Sequence, residues 1–208
     1  MTISYPLSLP LSDFARVRVR RNDGASVSRS PFTRKASVQV FDALSWEVSI
    51  DFPLLSYTVA QPLLAFCAAL RGGTGTFVLP HPTLATSSGT AGTVGGSPTV
   101  NGNGQTGATV NITSAPLSQT AYFVAGDHIQ IGPTSRAHWY RILEDADTDG
   151  SGQATLSIWP DLREGVINGD AIRYASPLCL FRQTSVVQEE EYEPALKVRI
   201  SIEAEEDL

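Results

Sequence analysis

A mainly β fold, with one docked α-helix and a small β-barrel inserted into a first domain, is predicted by three observations. Short runs of alternating apolar and polar residues recur through most of the 208 residues, the pattern of half-buried strands. Only residues 61–71 carry an apolar stripe at helical spacing. A strand–helix–strand block (46–51, 61–71, 76–79) is followed by a turn-rich series of short strands before an apolar strand resumes near Leu178.

The elements follow in order. Within 14–21, Val17 and Val19 alternate with Arg16, Arg18 and Arg20, a two-faced strand. Asn22-Asp23-Gly24 marks a turn, and a further strand is expected over 35–42. Trp46, Val48 and Ile50 alternate with Glu47, Ser49 and Asp51. Pro62 near the start and Gly72-Gly73 after the end bracket the helix. Leu63, Phe66, Cys67 and Leu70 fall at i, i+3, i+4 and i+7, a stripe that docks on a sheet. Residues 76–79 resume as a strand, stopped by Pro80 and Pro82.

Residues 85–107 are dominated by Gly, Ser, Thr and Asn and read as an exposed, flexible arm or a long loop over the surface. Five short strands then follow at 109–113, 128–131, 139–143, 155–159 and 171–175, with Gly, Asp and Asn turns between them. They suit a small barrel of the OB type. Residues 178–184 and 195–202 return as strands to the first domain, which therefore spans 1–82 plus 177–208, with the insert at 83–176.

With 42% hydrophobic and 17% charged residues, a chain of this length buries roughly 70% of its unfolded surface without metal or disulfide staples. Cys67 and Cys179 each sit in an apolar run and read as buried thiols. The net charge of −6 is unevenly spread. Residues 1–100 hold eight Lys/Arg against five Asp/Glu, and 101–208 hold seven against sixteen. A basic front and an acidic back are solvated faces in most proteins; in a self-assembling protein they can also serve as complementary contact surfaces. The candidate contact residues are Arg16, Arg18, Arg20 and Arg21 on one side, Glu203 and Glu205 on the other, with an acidic run at 189–191 beside them. An acidic pI near 5.0 argues against nucleic-acid recognition. Residues 52–70 hold no charge, yet Pro53, Pro62 and several polar side chains interrupt them, so no membrane insertion is expected. The N-terminus lacks a secretory pattern.

Asp145, Asp147, Asp149 and Gly150 match the first half of a calcium loop, but the closing twelfth position is Leu156, and an acidic hairpin tip accounts for the same residues. His81, His128 and His138 show no ligand spacing, and Asp161 and Glu164 read as surface carboxylates. No nucleophile or phosphate-loop motif is present. The expectation is thus a protein that is not an enzyme, with no catalytic, metal or cofactor site. Trp139, Tyr140 and Trp159 read as barrel core, while stacking on a sugar keeps open a carbohydrate-binding module or a glycan hydrolase subunit as the alternative.

Three stretches, taken in order, resemble the distal tail and minor tail proteins of long-tailed, siphovirus-like bacteriophages. They are TVAQPLLAFCAALRGGTGTFVLPHP at 58–82, NGNGQTGATVNI at 101–112 followed by AGDHIQIG at 125–132, and YRILEDADTDGSGQATLSIWPDLREG at 140–165 running on to Pro177-Leu178 and Phe181-Arg182. The resemblance covers roughly residues 46–183. It implies a structural virion protein of the tail tip, assembled in the host cytoplasm, whose β-sandwich ring domain (1–82 plus 177–208) carries the inserted OB-like barrel. The implied partners are further copies of itself in a ring, expected to be a hexamer, the tail tube protein, and the tail hub and receptor-binding proteins.

Overall fold

The computed structural model describes residues 3–41, 44–82, 86–163, 166–185, 191–194 and 196–208. Among them the strands form four sheets. The main sheet has six strands in the order β1 (Leu7–Ser8), β7 (Thr76–Pro80), β14 (Leu178–Gln183), β17 (Ser201–Glu206), β5 (Ser45–Asp51), β2 (Arg16–Asn22). Only the β1–β7 pair is parallel. The register sets Ile202 and Val17 against Ile50, Ala204 and Val19 against Val48, and Phe181 against Phe77, so alternate residues fill one apolar face.

Helix α1 (Tyr57–Ala69) covers part of that face, burying Ala60, Leu63, Phe66 and Cys67, with Leu70 just beyond its end. The Phe66 ring meets Phe77 edge-on at 5.6 Å. The helix begins at Tyr57, earlier than the pattern predicts. Strand β6 (Leu55–Ser56) delivers the chain there, and the Tyr57 N–H donates to the Leu196 carbonyl at 2.8 Å, satisfying one orphan donor of the first turn. Pro62 therefore lies inside the helix, where its missing N–H forgoes one backbone bond.

The single strand expected over 195–202 is two strands, with Ala195 outside the described residues. β16 (Lys197–Arg199) pairs with β6 and with β15 (Glu191–Glu193), whereas β17 pairs with β5 and β14. Ile200, buried between them, lets one run serve two sheets.

The barrel takes β13 (Ile172–Arg173), β10 (His128–Ile131), β11 (Trp139–Ile142), β12 (Ala154–Trp159), β9 (Thr109–Thr113) and β8 (Thr99–Val100) in that order, all antiparallel. A Thr99–Ala171 bridge and the Val100 N–H to Asp170 carbonyl bond of 2.9 Å bring the two edges together, so the barrel is nearly closed. Its core is a second cluster, built on Val110, Ile112, Tyr122, Phe123, Ile129, Ile142, Leu156 and Ile158.

This corrects the reading of 85–107 as a flexible arm (residues 83–85 lie outside the described ones). Thr99–Val100 is the sixth barrel strand, a short helix α2 (Ala91–Val94) precedes it, and Ala91 and Val100 are buried. Gly92 and Gly96 stand where backbone and side chains approach closely. A Cβ on Gly92 would stand 2.2 Å from the Ser87 carbonyl oxygen. Gly96 has φ +118°, and a Cβ on it would stand 2.6 Å from the Pro116 ring. A hairpin of β3 (Ala25–Arg29) and β4 (Ala36–Val40) extends beyond β2; β4 falls inside the strand expected over 35–42, while β3 had no sequence signal, its lone large apolar residue, Val27, being flanked by serines.

Two stability measurements check this packing. Phe66→Ala is expected to cost about 3–5 kcal/mol in urea unfolding, as for a large side chain lost from a core. Gly96→Val should cost about 1–3 kcal/mol, because a β-branched residue is strained at that φ. A change within about 0.5 kcal/mol at position 96 would instead fit a mobile arm.

Candidate functional site

The outward face of the main sheet carries the charge. In β2, Arg16, Arg18 and Arg20 point to solvent while Val17 and Val19 turn inward. Pairing sets Arg16 opposite Asp51 and Arg20 opposite Glu47, and Glu47 in turn opposite Glu205 of β17. Glu205 also stands opposite Arg182 of β14, and Glu203 opposite Ser49. Five of the six predicted contact residues thus share this face with Glu47 and Asp51; the opposite-charge cross-strand pairs each contribute about 0.2–1 kcal/mol, whereas Glu47 opposite Glu205 is a like-charge pair that opposes them. Their outer boundary is β2, an edge strand with one side unpaired among the described residues.

Arg21 is different. It stands opposite Trp46, on the other face of the sheet, where its guanidinium lies 5.3 Å over the Trp159 ring and its Nε lies 2.8 Å from Asp23. It belongs to the barrel junction rather than to the row of outward arginines. Of the acidic run at 189–191, only Glu191 is among the described residues; it lies 3.6 Å from Arg199.

The junction is built around Glu206, which sequence reasoning did not single out. Its carboxylate lies on the apolar face of the sheet with no exposed side-chain surface. Three donors reach it: the Trp46 N–H at 3.2 Å, the Arg163 guanidinium at 2.8 Å, and His138 Nδ1 at 2.9 Å. Trp46 is a sheet residue, whereas Arg163 and His138 follow and precede barrel strands, so the buried charge joins the two cores. The indoles add to it. Trp46 Nε1 donates to the Trp139 carbonyl and Trp139 Nε1 to the Pro177 carbonyl, each at 2.9 Å. Trp139, a barrel strand residue, packs in the sheet's core, and Trp159 meets Trp46 edge-on at 4.6 Å.

His138, Glu206 and the Cys179 thiol bring their ligand atoms within 4.8 Å of one another. Burial holds the Cys179 thiol well above its ordinary pKa, and the Arg163 guanidinium already neutralises Glu206. A cation there would face that guanidinium, so the arrangement is an ionic knot rather than a metal centre. The calcium-like loop resolves similarly: Asp145 accepts from the Ala125 N–H, Asp147 from Ala121, and Asp149 from Ser151 and Gln153. The two bonds to Asp149 hold its pKa below the ordinary value. These carboxylates fold the loop. Glu164 lies outside the described residues.

Beside the knot, His81 and His128 stack with centroids 3.7 Å apart. His128 Nε2 accepts from Arg141 Nε at 3.0 Å, and the Arg141 guanidinium lies 5.2 Å over Trp46. Burial, then the neighbouring His128 and Arg141, lowers the His81 pKa to about 3; burial, then Arg141, lowers that of His128 to about 4. Both rings are neutral at pH 7, and His128 carries its proton on Nδ1.

Trp139 and Tyr140 are buried and Trp159 is half-buried under Arg21, so the three barrel aromatics form no exposed stacking platform. Cys67 and Cys179 are both buried thiols, as expected. No described helix is long and apolar enough to cross a membrane. No protein-family model matches the chain, and no curated protein does either.

Two outcomes test the junction. Arg163→Met should cost about 3–5 kcal/mol, since it strands a buried carboxylate, and adding Glu206→Leu should recover much of the loss. An unchanged urea midpoint in the single variant would contradict the knot. The histidines set a pH dependence. Unfolded they bind protons near pH 6.5 and folded only near 3–4, so the unfolded state holds more protons between these values. Stability should therefore fall with pH below about 6.5, by up to about 1.4 kcal/mol per pH unit for each ring. His128→Gln should make that fall shallower in urea titrations from pH 7 to 4.5; an equal slope would contradict it.

Proposed function

We propose that this protein is a structural component of a bacteriophage tail tip, not an enzyme. Copies of it form a ring around the tail axis, joining the tail tube to the hub and receptor-binding parts. The resemblance of residues 46–183 to distal and minor tail proteins supports this reading. The observation that carries it is the charged sheet face, which ends at the open edge strand β2 with Arg16, Arg18 and Arg20 outward, while Glu203 and Glu205 lie on β17 of the same face. Neighbouring copies then meet basic edge to acidic strand. Each exposed pair contributes only about 0–1 kcal/mol, but contacts repeated around a closed ring add up and fix orientation. In this reading the protein works in the virion at the tail tip, after assembly in the host cytoplasm. Its partners are itself, expected as a hexamer, and the tail proteins on either side. It recognises no nucleic acid and inserts into no membrane. The alternative of a carbohydrate-binding or glycan-hydrolysing module gains no support from Trp139, Tyr140 and Trp159, which serve in packing.

Sizing by analytical ultracentrifugation across ionic strength tests the proposal. Wild type should assemble at low salt and lose assemblies as salt screens the pairs. Arg16→Glu, Arg18→Glu and Arg20→Glu combined should weaken assembly while the monomer stays folded by circular dichroism. Identical size distributions for both proteins at every salt concentration would remove charge pairing as the contact.

A further inference from the structure

The hairpin β3–β4 leaves apolar surface uncovered. Its cross-strand register sets Val27 opposite Val38 on one side of the ribbon, and Ser26 opposite Gln39 and Ser28 opposite Ser37 on the other. That is the period-2 pattern of a half-buried ribbon. Yet Val27 is 56% exposed, Val38 58%, and Phe32 in the connecting loop 95%. Every residue of β3 is exposed, and a two-stranded hairpin without a packed face is marginal in water, so this pattern calls for a partner. The ribbon is also basic: from Gly24 to Phe41 it holds Arg29, Arg34 and Lys35 and no acidic residue.

The chain carries a surface of opposite sign on the barrel. Glu144, Asp145, Asp147 and Asp149 are all exposed along the edge that follows β11. Two exposed apolar side chains adjoin them. Leu143 precedes Glu144, and Leu117 lies beside the Asp149 loop, where the Ser118 N–H donates to the Asp149 carbonyl at 2.9 Å. An apolar, basic ribbon and an apolar, acidic edge on one chain are the two unlike halves of a head-to-tail contact.

We infer that the β3–β4 hairpin is an assembly arm that lays its Val27–Val38 face and Phe32 on the acidic barrel edge of a second copy of this chain. This rests on the reading that the protein self-assembles, and adds a contact separate from the β2 edge. In a head-to-tail arrangement each copy gives one arm and receives one, so the contact is saturated only when a ring closes.

The test combines two measurements on the full-length protein. In the first, Val27→Ser, Phe32→Ser and Val38→Ser are combined and the product sized against wild type. The expected result is a rise of about tenfold or more in the concentration needed for half-assembly, because the three changes remove the apolar area that the arm buries on its partner. At concentrations where both proteins are monomeric, its thermal midpoint should match wild type, since the arm covers neither core. In the second, Phe32→Cys and Leu117→Cys proteins are mixed under oxidising conditions, and mass spectrometry of the digest should find the disulfide between positions 32 and 117. Wild-type assemblies that the triple variant forms equally well, with no such disulfide, would overturn the arm and leave the ring standing. A wild type that stays monomeric at every concentration would overturn the ring reading and the arm's occupant together. A thermal midpoint of the monomeric triple variant below that of monomeric wild type would show that the hairpin packs on its own chain, overturning the arm.

Discussion

Glu206 stands in β17 where the alternation of the strand calls for an apolar side chain. It follows Ile202 and Ala204, which pair with Ile50 and Val48, and it stands opposite Phe181. A carboxylate at such a site is costly unless it is paired and hydrogen-bonded. Among the described residues the main sheet itself supplies only the Trp46 N–H; the positive charge comes from the barrel, through Arg163, and His138 adds a hydrogen bond. The sheet is therefore incomplete without the barrel, and the barrel's placement is fixed by a need that the sheet creates.

The packing around Glu206 has the same character. Trp139 belongs to a barrel strand by pairing but to the sheet's core by burial, and its carbonyl accepts from the Trp46 indole. The buried neutral histidines and Arg141 sit at the same seam, which is where apolar, aromatic and charged groups of both parts meet. For a protein proposed to join others in a ring, a stiff seam keeps the barrel's acidic edge at a fixed attitude to the basic strand and hairpin. A loosely hinged barrel would blur the geometry that ring closure requires.

Much of the fold was legible because its elements obey the simple periods. The strands at Trp46, Val48 and Ile50 and at Val17 and Val19, and the helix stripe from Leu63 to Leu70, follow from spacing alone. Residues 86–107 were misread because glycine and serine look the same in a disordered arm as in a segment where backbones pass closely. Gly92 and Gly96 serve contacts that exist only in the folded chain. The start of α1 was misplaced because the donor at Tyr57 is met by Leu196, about 140 residues away, a satisfaction no local pattern reveals. Arg21 and Glu206 were hard to read for a related reason. Each breaks the alternation of its strand, and their partners Trp159, Arg163 and His138 are distant in sequence. A charged residue on the apolar phase of an otherwise alternating strand was the signal available.

That sheet and barrel open as one unit is tested most directly by native-state hydrogen exchange. The Trp46 N–H is bonded to Glu206, the Leu180 N–H to the Ala137 carbonyl, and the Ile142 N–H to the Asp127 carbonyl within the barrel. If the buried carboxylate locks the two parts, all three should exchange through the same opening, with free energies that fall together as urea is added. Exchange of Trp46 and Leu180 at a much lower free energy than Ile142 would show the barrel swinging away from the sheet, and would contradict the lock.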